Sequence, residues 1–304
     1  MVDIGNVPAT SQSPTAWLRV LKRIVAATGA LALLFYVGAV GYLRVNETEL
    51  VFPREITPRG LPAPADSLGL PYRSVDFRTT DSVRLNAWVV PARHDDSTGY
   101  WVLLCHGQTG NVATTTRPQY YAYLRDIGVN ILAFDWRGFG ASEGRPREEG
   151  LYRDATAAYE YLRTVEHVPA DRIIIFGHSL GTAPAIELAT RVSAAGLVIE
   201  GAPSSVRKRA QEIYPLLPIG LVAHSDFNSL GRIARVTMPV LVMHARHDNK
   251  IPIAHGRALF AAARAPKRFV ELRGDHHNAF LADSATYFGN YAAFVRQIAK
   301  RGGQ

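Results

Sequence analysis

Short apolar segments alternate with longer helical patterns through most of this chain, and this alternation constrains the fold more than any other feature. The segments are four to six residues long and mostly apolar, as in strands that are buried on both faces. The stretches between most of them carry apolar residues at helical spacing, so helices are available to cover the sheet. We therefore predict an α/β fold, a mostly parallel sheet with helices on both faces. The strands are expected at residues 101–105, 130–134, 172–176, 197–200, 239–244 and 268–272, and the main helices at 118–126, 147–165, 182–192, 254–263 and 287–300.

Two segments, an edge hairpin and an insertion, depart from this alternation. Residues 72–78 and 83–90 alternate polar and apolar side chains around a turn at 79–82, which predicts an antiparallel hairpin at one edge of the sheet. Residues 201–237 hold three prolines where a helix is expected, and we predict a small cap there. Ligands of open α/β sheets bind beyond the carboxyl ends of the strands. The cap is therefore expected to roof the site, with the apolar run 214–222 sheltering an acyl chain.

Residues 24–43 are twenty consecutive residues without a charge. They predict a transmembrane helix, because about 20 residues at about 1.5 Å each span roughly 30 Å of hydrocarbon. Basic residues at 19–23 precede the segment and place the N-terminus in the cytoplasm. A cleaved signal peptide is the alternative, favoured by small residues between 38 and 41. The expected organisation is a cytoplasmic head at 1–23, the helix at 24–43, a proline-rich tether at 44–69, and a catalytic domain at 70–304 on the far side of the membrane, the periplasmic face of the inner membrane in a bacterium.

The net charge of +8 at pH 7 invites a nucleic-acid interpretation. Most basic residues are scattered, however, and the tight cluster Arg207–Arg209 lacks an aromatic platform or a helix-turn-helix pattern, so no nucleic-acid partner is expected. This cluster lies in the predicted cap, where it contacts an anionic headgroup or acidic substrate or else forms a solvated face. The single cysteine, Cys105, excludes an intramolecular disulfide and a cysteine-based zinc site.

The sharpest motif is Gly177–Gly181, whose sequence GHSLG fits the pattern G-x-S-x-G between a predicted strand and a predicted helix. This context is typical of a nucleophile elbow, a strained turn that lifts a serine clear of the sheet. Its glycines let strand and helix approach closely. Ser179 is therefore the predicted nucleophile. The backbone N–H of Leu180, at the start of the helix, would face an oxyanion that develops on the substrate.

The loop at 106–111 directly follows the first central strand and is the expected source of a second oxyanion donor. We assign this donor to the backbone N–H of Gln108, with Thr109 as the neighbouring alternative. A plain glycine turn that only connects strand to helix is the other interpretation. The loop is not a phosphate loop, because no Gly-Lys-Ser or Gly-Lys-Thr follows it.

A serine hydroxyl is a weak nucleophile at neutral pH, so Ser179 needs a base and the base needs an orienting acid. We expect the three residues to follow one another along the chain in the order serine, acid, histidine. Asp248 is therefore the predicted acid, and Glu200 is the alternative. His277, after the last strand, is the predicted base, and His276 beside it is the alternative. No H-E-x-x-H or comparable ligand frame accompanies the histidines, so neither a metal nor an organic cofactor is expected.

Four motifs in chain order, residues 106–111, 135–144 and 177–181, and Asp248 with His277 and Asn278, together resemble the α/β-hydrolase superfamily, in the branch of single-pass, membrane-anchored α/β-hydrolase-domain serine hydrolases. The resemblance covers roughly residues 70–300. In that branch the histidine that precedes an asparagine is the base, which favours His277, while Asp275 and His276 stand where the family has small residues.

The resemblance implies a serine hydrolase that cleaves an ester or thioester of a small-molecule or lipid-like acyl substrate through an acyl-enzyme intermediate, as carboxylesterases, lipases and acyl-thioesterases do. Eukaryotic relatives in this branch include acyl-protein thioesterases. Pocket shape sets the acyl acceptor and the chain length, so a serine peptidase or an acyltransferase with the same triad is an alternative. The competing class is a non-catalytic binding module on the same fold. The sequence predicts no oligomeric state.

Overall fold

The computed structural model describes residues 14–53, 69–93, 98–114, 116–264 and 266–302. The chain divides into two compact units, Met1–Asn46 and Glu47–Gln304. In its described part the first unit is helical, and the second unit holds the sheet, its covering helices and the candidate site.

A mostly parallel sheet of eight strands forms the centre of the second unit. The strands are β1 (Arg73–Arg78), β2 (Arg84–Val90), β3 (Trp101–Cys105), β4 (Asn130–Phe134), β5 (Ile173–His178), β6 (Gly196–Glu200), β7 (Val240–Ala245) and β8 (Lys267–Leu272). Their order is β1-β2-β4-β3-β5-β6-β7-β8. β2 runs antiparallel to β1 and β4, and the other neighbours are parallel. The predicted α/β fold is therefore confirmed, with the hairpin at one edge.

Side chains that alternate along the strands build a separate core on each face of the sheet. In β3, Leu103 and Cys105 join one core, while Val102 and Leu104 join the other. All four are buried, which explains why this segment is a continuous apolar run in the sequence. One face is covered by α2 (Arg117–Asp126), α9 (Ala279–Ala282) and α10 (Ser284–Gly302), and the other by α3 (Glu148–Thr164), α4 (Thr182–Ala189) and α8 (Ile253–Ala262).

The junction of β5 with α4 is packed so tightly that only glycine fits at two positions. A Cβ on Gly181 would lie 2.2 Å from the carbonyl oxygen of Cys105 and 2.4 Å from that of His106. Gly181 has an ordinary helical φ of −61°, so bulk rather than conformation excludes a side chain. A Cβ on Gly177 would lie 2.6 Å from the Cα of Thr182. The two glycines of the GHSLG segment therefore allow α4 to begin directly against the sheet.

Three short helices lie between β6 and β7, within the predicted cap at 201–237. They are α5 (Val206–Ile213), α6 (Ile219–Val222) and α7 (Ser229–Ile233). In the apolar run 214–222, Leu216 and Leu221 are 86% and 85% exposed. These two side chains face solvent rather than enclosing a pocket.

Helix α1 (Pro14–Val51) has 38 residues and extends past both ends of the predicted span at 24–43. Residues 44–51, expected to start the tether, are helical because they contain neither glycine nor proline. The helix ends just before Pro53, and residues 54–68 of the tether predicted at 44–69 lie outside the described residues. Within the described chain, α1 alone is long and apolar enough to cross a membrane or to act as a signal sequence.

The end of α1 belongs to the second unit and packs into it. Phe52 is buried and lies edge-on against two other core phenylalanines. The Glu47 carboxylate accepts hydrogen bonds from the backbone amides of His224 and Ser225, both at 2.7 Å. The compact unit therefore begins before residue 70, the predicted start of the domain.

Candidate active site

Ser179 lies on a strained turn at the end of β5. A single 3-10 turn, Ser179–Gly181, joins β5 to α4. Ser179 has a φ of 52°, in the left-handed region that residues other than glycine rarely adopt. Its side chain lines a cavity beyond the end of the sheet. This geometry is that of a nucleophile elbow.

His276 joins Ser179 to Asp248 through two hydrogen bonds. Its Nε2 lies 2.8 Å from Ser179 Oγ, and its Nδ1 lies 2.7 Å from Asp248 Oδ2. The side chains of His276 and Asp248 are 4% and 1% exposed. An ionised carboxylate only accepts hydrogen bonds, so Nδ1 carries the proton and Nε2 accepts from the serine hydroxyl.

The prediction that His277 occupies this position is wrong, because the structure places His276 there. Both histidines belong to a turn in which Asp275 Oδ1 accepts from the backbone amides of His277 and Asn278, at 2.9 and 3.1 Å. This turn directs the two neighbouring rings differently, with an angle of 83° between their planes. His276 is buried against Ser179, whereas His277 is exposed and lines the cavity.

Asp248 is surrounded by hydrogen-bond donors. Its Oδ1 accepts from the backbone amides of Lys250 and Ile251 at 2.8 and 2.7 Å, while its Oδ2 faces His276. Burial favours the neutral acid, but the His276 ring and these amides outweigh it and hold the pKa of Asp248 below its ordinary value. The structure therefore brings the predicted acid, in its ionised form, to the histidine.

Glu200, the alternative acid, lies at the end of β6 and makes a different contact. Its Oε2 accepts a hydrogen bond from the Tyr287 hydroxyl at 2.7 Å. The carboxyl is nearly buried but lines the cavity. Burial raises the pKa of Glu200 to about 7, although the hydrogen bond from Tyr287 and the charge of His276 oppose the rise, and the charge of Asp248 adds to it. Glu200 is thus a cavity carboxyl that changes charge near neutral pH.

The loop after β3 approaches Ser179 closely. A Cβ on Gly107 would lie 3.3 Å from Ser179 Cβ, so glycine permits this approach. The buried His106 donates through Nδ1 to the Gly107 carbonyl at 2.7 Å. That carbonyl shares a peptide unit with the Gln108 N–H, and in a trans peptide the two groups point in opposite directions. His106 therefore fixes the direction of the Gln108 N–H. The assignment of Gln108 and Leu180 as oxyanion donors stays a prediction.

The cavity at Ser179 has a volume of about 460 Å³. Within the described chain, no residue of 201–237 lines it, so the expectation that the cap roofs the site is wrong. The described residues also contain no group of three or more His, Cys, Asp or Glu side chains placed to hold a metal ion. The wall includes the apolar side chains Leu104, Phe176 and Phe280 and the polar side chains Thr109, Arg117, Lys250 and His277.

The contacts of His106, Arg117 and Tyr287 at the site were not predicted from the sequence. For His106, its position next to Gly107 in the predicted loop motif could have indicated the contact with the Gly107 carbonyl. Arg117 donates to the carbonyl of Thr109, and Tyr287 donates to Glu200. No motif surrounds either residue, and only the packing of α2 and α10 against the sheet brings them to the cavity.

A second serine, Ser204, is also hydrogen-bonded to a histidine. Its Oγ lies 2.8 Å from His255 Nδ1, and His255 Nε2 lies 2.9 Å from Glu212 Oε2. Ser204 is 1% exposed and does not line the cavity at Ser179. The backbone N–H of Ser204 donates to the same ring nitrogen at 3.2 Å. This chain of bonds braces the start of the insertion and provides an internal comparison for Ser179.

Comparison with known proteins identifies a family for this chain. Residues 100–218 match a family model described as the alpha/beta hydrolase fold. Over 250 residues the chain is 35% identical to the uncharacterized protein Rv2307c of Mycobacterium tuberculosis, with 82% of this chain and 86% of that protein covered. The chain belongs to the α/β-hydrolase family.

Two further comparisons place this α/β-hydrolase among proteins of more distant sequence. It is 29% identical over 204 residues to human alpha/beta hydrolase domain-containing protein 17B, with 66% of each chain covered. Its fold is that of the Pyrococcus furiosus esterase Pf2001, with a TM-score of 0.66, 19% identity, and coverage of 80% of this chain and 97% of that one.

The raised pKa of Glu200 predicts a pH-dependent effect of the substitution Glu200→Gln. A buried carboxyl with a pKa of about 7 stabilises the folded state below its ordinary pKa of 4.5, and this stabilisation is lost as the pH rises through 7. The glutamine of the variant does not titrate. We expect the free energy of unfolding of the variant, relative to wild type, to rise by about 3 kcal/mol between pH 4.5 and 8. Urea denaturation at a series of pH values measures this difference.

The matched control is Glu160→Gln, at an exposed position of α3. Its unfolding free energy relative to wild type should change little over the same range. If the unfolding free energy of Glu200→Gln relative to wild type is equally independent of pH, the raised pKa of Glu200 is contradicted.

Proposed function

We propose that this α/β-hydrolase is a serine hydrolase that cleaves an ester or thioester through an acyl-enzyme intermediate. The observation that carries the proposal is the position of His276, with Nε2 at 2.8 Å from Ser179 Oγ and Nδ1 at 2.7 Å from Asp248 Oδ2. Hydroxyl, imidazole and carboxylate in this order supply a nucleophile, a base and the group that orients the base.

In the proposed reaction, Ser179 Oγ attacks the carbonyl carbon of the substrate while His276 Nε2 takes the hydroxyl proton. Asp248 stabilises the imidazolium that results. The negative charge on the carbonyl oxygen is received by the backbone N–H groups of Gln108 and Leu180, each of which contributes about 3 to 4 kcal/mol in comparable sites. Collapse of the tetrahedral intermediate expels the alcohol or thiol, which takes its proton from His276. Water then repeats the sequence and releases the acid.

The cavity favours an acyl substrate of small-molecule or lipid-like character. Its wall combines the apolar residues Leu104, Phe176 and Phe280 with polar groups. The Gly107 carbonyl is held by His106, so the Gln108 amide needs no reorganisation when the oxyanion forms.

Fluorophosphonate labelling tests the proposal, because such probes react with an activated serine. We expect labelling of the wild type and of Ser204→Ala, and none of Ser179→Ala. Ser204 is the matched control, since it also bonds a histidine but is 1% exposed. Labelling that persists in Ser179→Ala would assign the reactive serine elsewhere. A wild type that is not labelled, although folded, would favour a binding module.

The proposed location is a membrane, with α1 as a single-pass anchor. The apolar window of this helix has a mean hydropathy of 2.1, and basic residues at 19–23 precede the uncharged segment. We propose that the N-terminus is cytoplasmic and that the hydrolase unit lies on the extracytoplasmic side.

Cysteine labelling in intact bacterial cells tests this placement, because the native Cys105 is buried. A membrane-impermeant maleimide should label Glu160→Cys, at an exposed site of α3, and leave Ser13→Cys, ahead of the uncharged segment, unlabelled. The opposite pattern would reverse the orientation. A mature protein that lacks the N-terminal segment by mass spectrometry would identify a signal peptide instead.

A further inference from the structure

Arg117, the first residue of α2, reaches the loop that carries Gln108. Its Nη2 donates to the carbonyl of Thr109 at 2.6 Å, and its Nη1 donates to the carbonyl of Asn111. Arg117 is also one of the residues that line the cavity. In the described part of the chain no carboxylate lies within ion-pair distance of it, so its geometry is set by these two carbonyls.

The segment around Gln108 is held on both sides. On one side His106 binds the Gly107 carbonyl, and on the other Arg117 binds the Thr109 carbonyl. Among the described residues, no other group donates a hydrogen bond to the Thr109 carbonyl. Removing the guanidinium would therefore release the side of Gln108 that His106 does not reach.

The later part of the loop has supports of its own. The backbone N–H of Val112 donates to the buried Asp135 at 2.8 Å, and the Val112 carbonyl accepts from Tyr121 at 3.0 Å. The Asn111 backbone N–H donates to Thr114 Oγ1 at 2.7 Å. These bonds keep the fold of the loop intact when Arg117 is replaced. The effect of its removal is therefore concentrated at Thr109 and Gln108.

The positive charge of Arg117 also extends to the neighbourhood of Ser179. Burial is the main reason that the pKa of His178, the residue before Ser179, falls to about 3, and the charges of His276 and Arg117 add to this effect. A cation whose field reaches His178 would also stabilise a negative charge that develops at the elbow.

We propose that Arg117 is a positioning residue for the reaction. Its guanidinium clamps the carbonyls of Thr109 and Asn111 and so keeps the Gln108 amide directed at the carbonyl oxygen of the bound ester. This inference rests on the proposed function, because Arg117 is argued to hold in place a backbone N–H that acts as an oxyanion donor. Arg117 itself does not contact the reacting atoms.

The test compares Arg117→Gln, which removes the charge and the fork, with Arg117→Lys, which keeps the charge alone. The readouts are kcat and KM for p-nitrophenyl butyrate and the inhibition constant of an alkyl boronic acid, which forms a tetrahedral adduct with the serine. For Arg117→Gln we expect kcat to fall about 10- to 100-fold. This is less than the loss of about 100- to 1,000-fold that follows removal of a whole oxyanion donor, because the Gln108 donor is still present. The boronate inhibition constant should rise by a similar factor, and KM should stay close to the wild-type value. For Arg117→Lys, kcat and the boronate inhibition constant should lie between those of the wild type and those of Arg117→Gln.

Arg125→Gln is the matched control, because Arg125 lies on the same helix and donates to the carbonyl of Pro91 at 2.7 Å, without lining the cavity. It should leave kcat and boronate inhibition unchanged. For Arg117→Ala, methylguanidinium at millimolar concentrations should restore part of kcat, and methylammonium should restore less. This rescue separates a missing clamp from a misfolded protein.

Each remaining outcome overturns the inference in a recognisable way. Unchanged kcat and boronate inhibition in Arg117→Gln would remove the positioning role and leave the serine-hydrolase proposal intact. A rise in KM confined to p-nitrophenyl esters of dicarboxylic acids would assign Arg117 to binding an anionic substrate group. Loss of kcat in Arg117→Ala without any guanidinium rescue would assign it a purely structural role. A wild type that hydrolyses no ester and is not labelled by fluorophosphonate would overturn the proposed function itself.

Discussion

The hydrogen bond between the Asp248 carboxylate and the His276 ring is the interaction on which the rest of the site depends. It determines which ring nitrogen carries the proton, and so leaves the other to accept from Ser179. The sheet makes the bond possible, because β5, β7 and β8 run parallel and their carboxyl ends lie at one edge. Ser179 and His276 therefore meet although 97 positions separate them in the chain.

Burial and the hydrogen-bond donors around each carboxyl together decide its charge. Asp248 receives hydrogen bonds from two backbone amides and from His276, and these hold its pKa below the ordinary value although burial opposes ionisation. Glu200, at the end of β6 next to β7, receives one hydrogen bond from Tyr287, and burial raises the pKa of Glu200 to about 7. Two carboxyls near one histidine thus differ in pKa: Asp248 is ionised at neutral pH, whereas Glu200 changes charge in that range. Of the two, Asp248 is the one hydrogen-bonded to the ring.

The sequence predicted the features that depend on local pattern and chain order. These are the parallel sheet, the strained turn at Ser179, and the position of Asp248 after β7. The choice between His276 and His277 depends instead on hydrogen bonds from the backbone to Asp275, which decide the ring that turns inward. The family pattern of histidine before asparagine pointed to the wrong neighbour. The contacts of Arg117 with the loop could not be predicted from the sequence either, because they require α2 to be packed against the loop.

The most direct test of the hydrogen-bonded chain Ser179–His276–Asp248 compares kcat for His276→Gln and His277→Gln on the same activated ester. We expect a loss of at least about 1,000-fold for His276→Gln, because the serine then lacks its base. His277→Gln should retain far more of the wild-type rate, since its ring lines the cavity but is hydrogen-bonded to neither Ser179 nor Asp248. The reverse order of the two variants would contradict the assignment of the base and, with it, the hydrogen-bonded chain on which the proposed function rests.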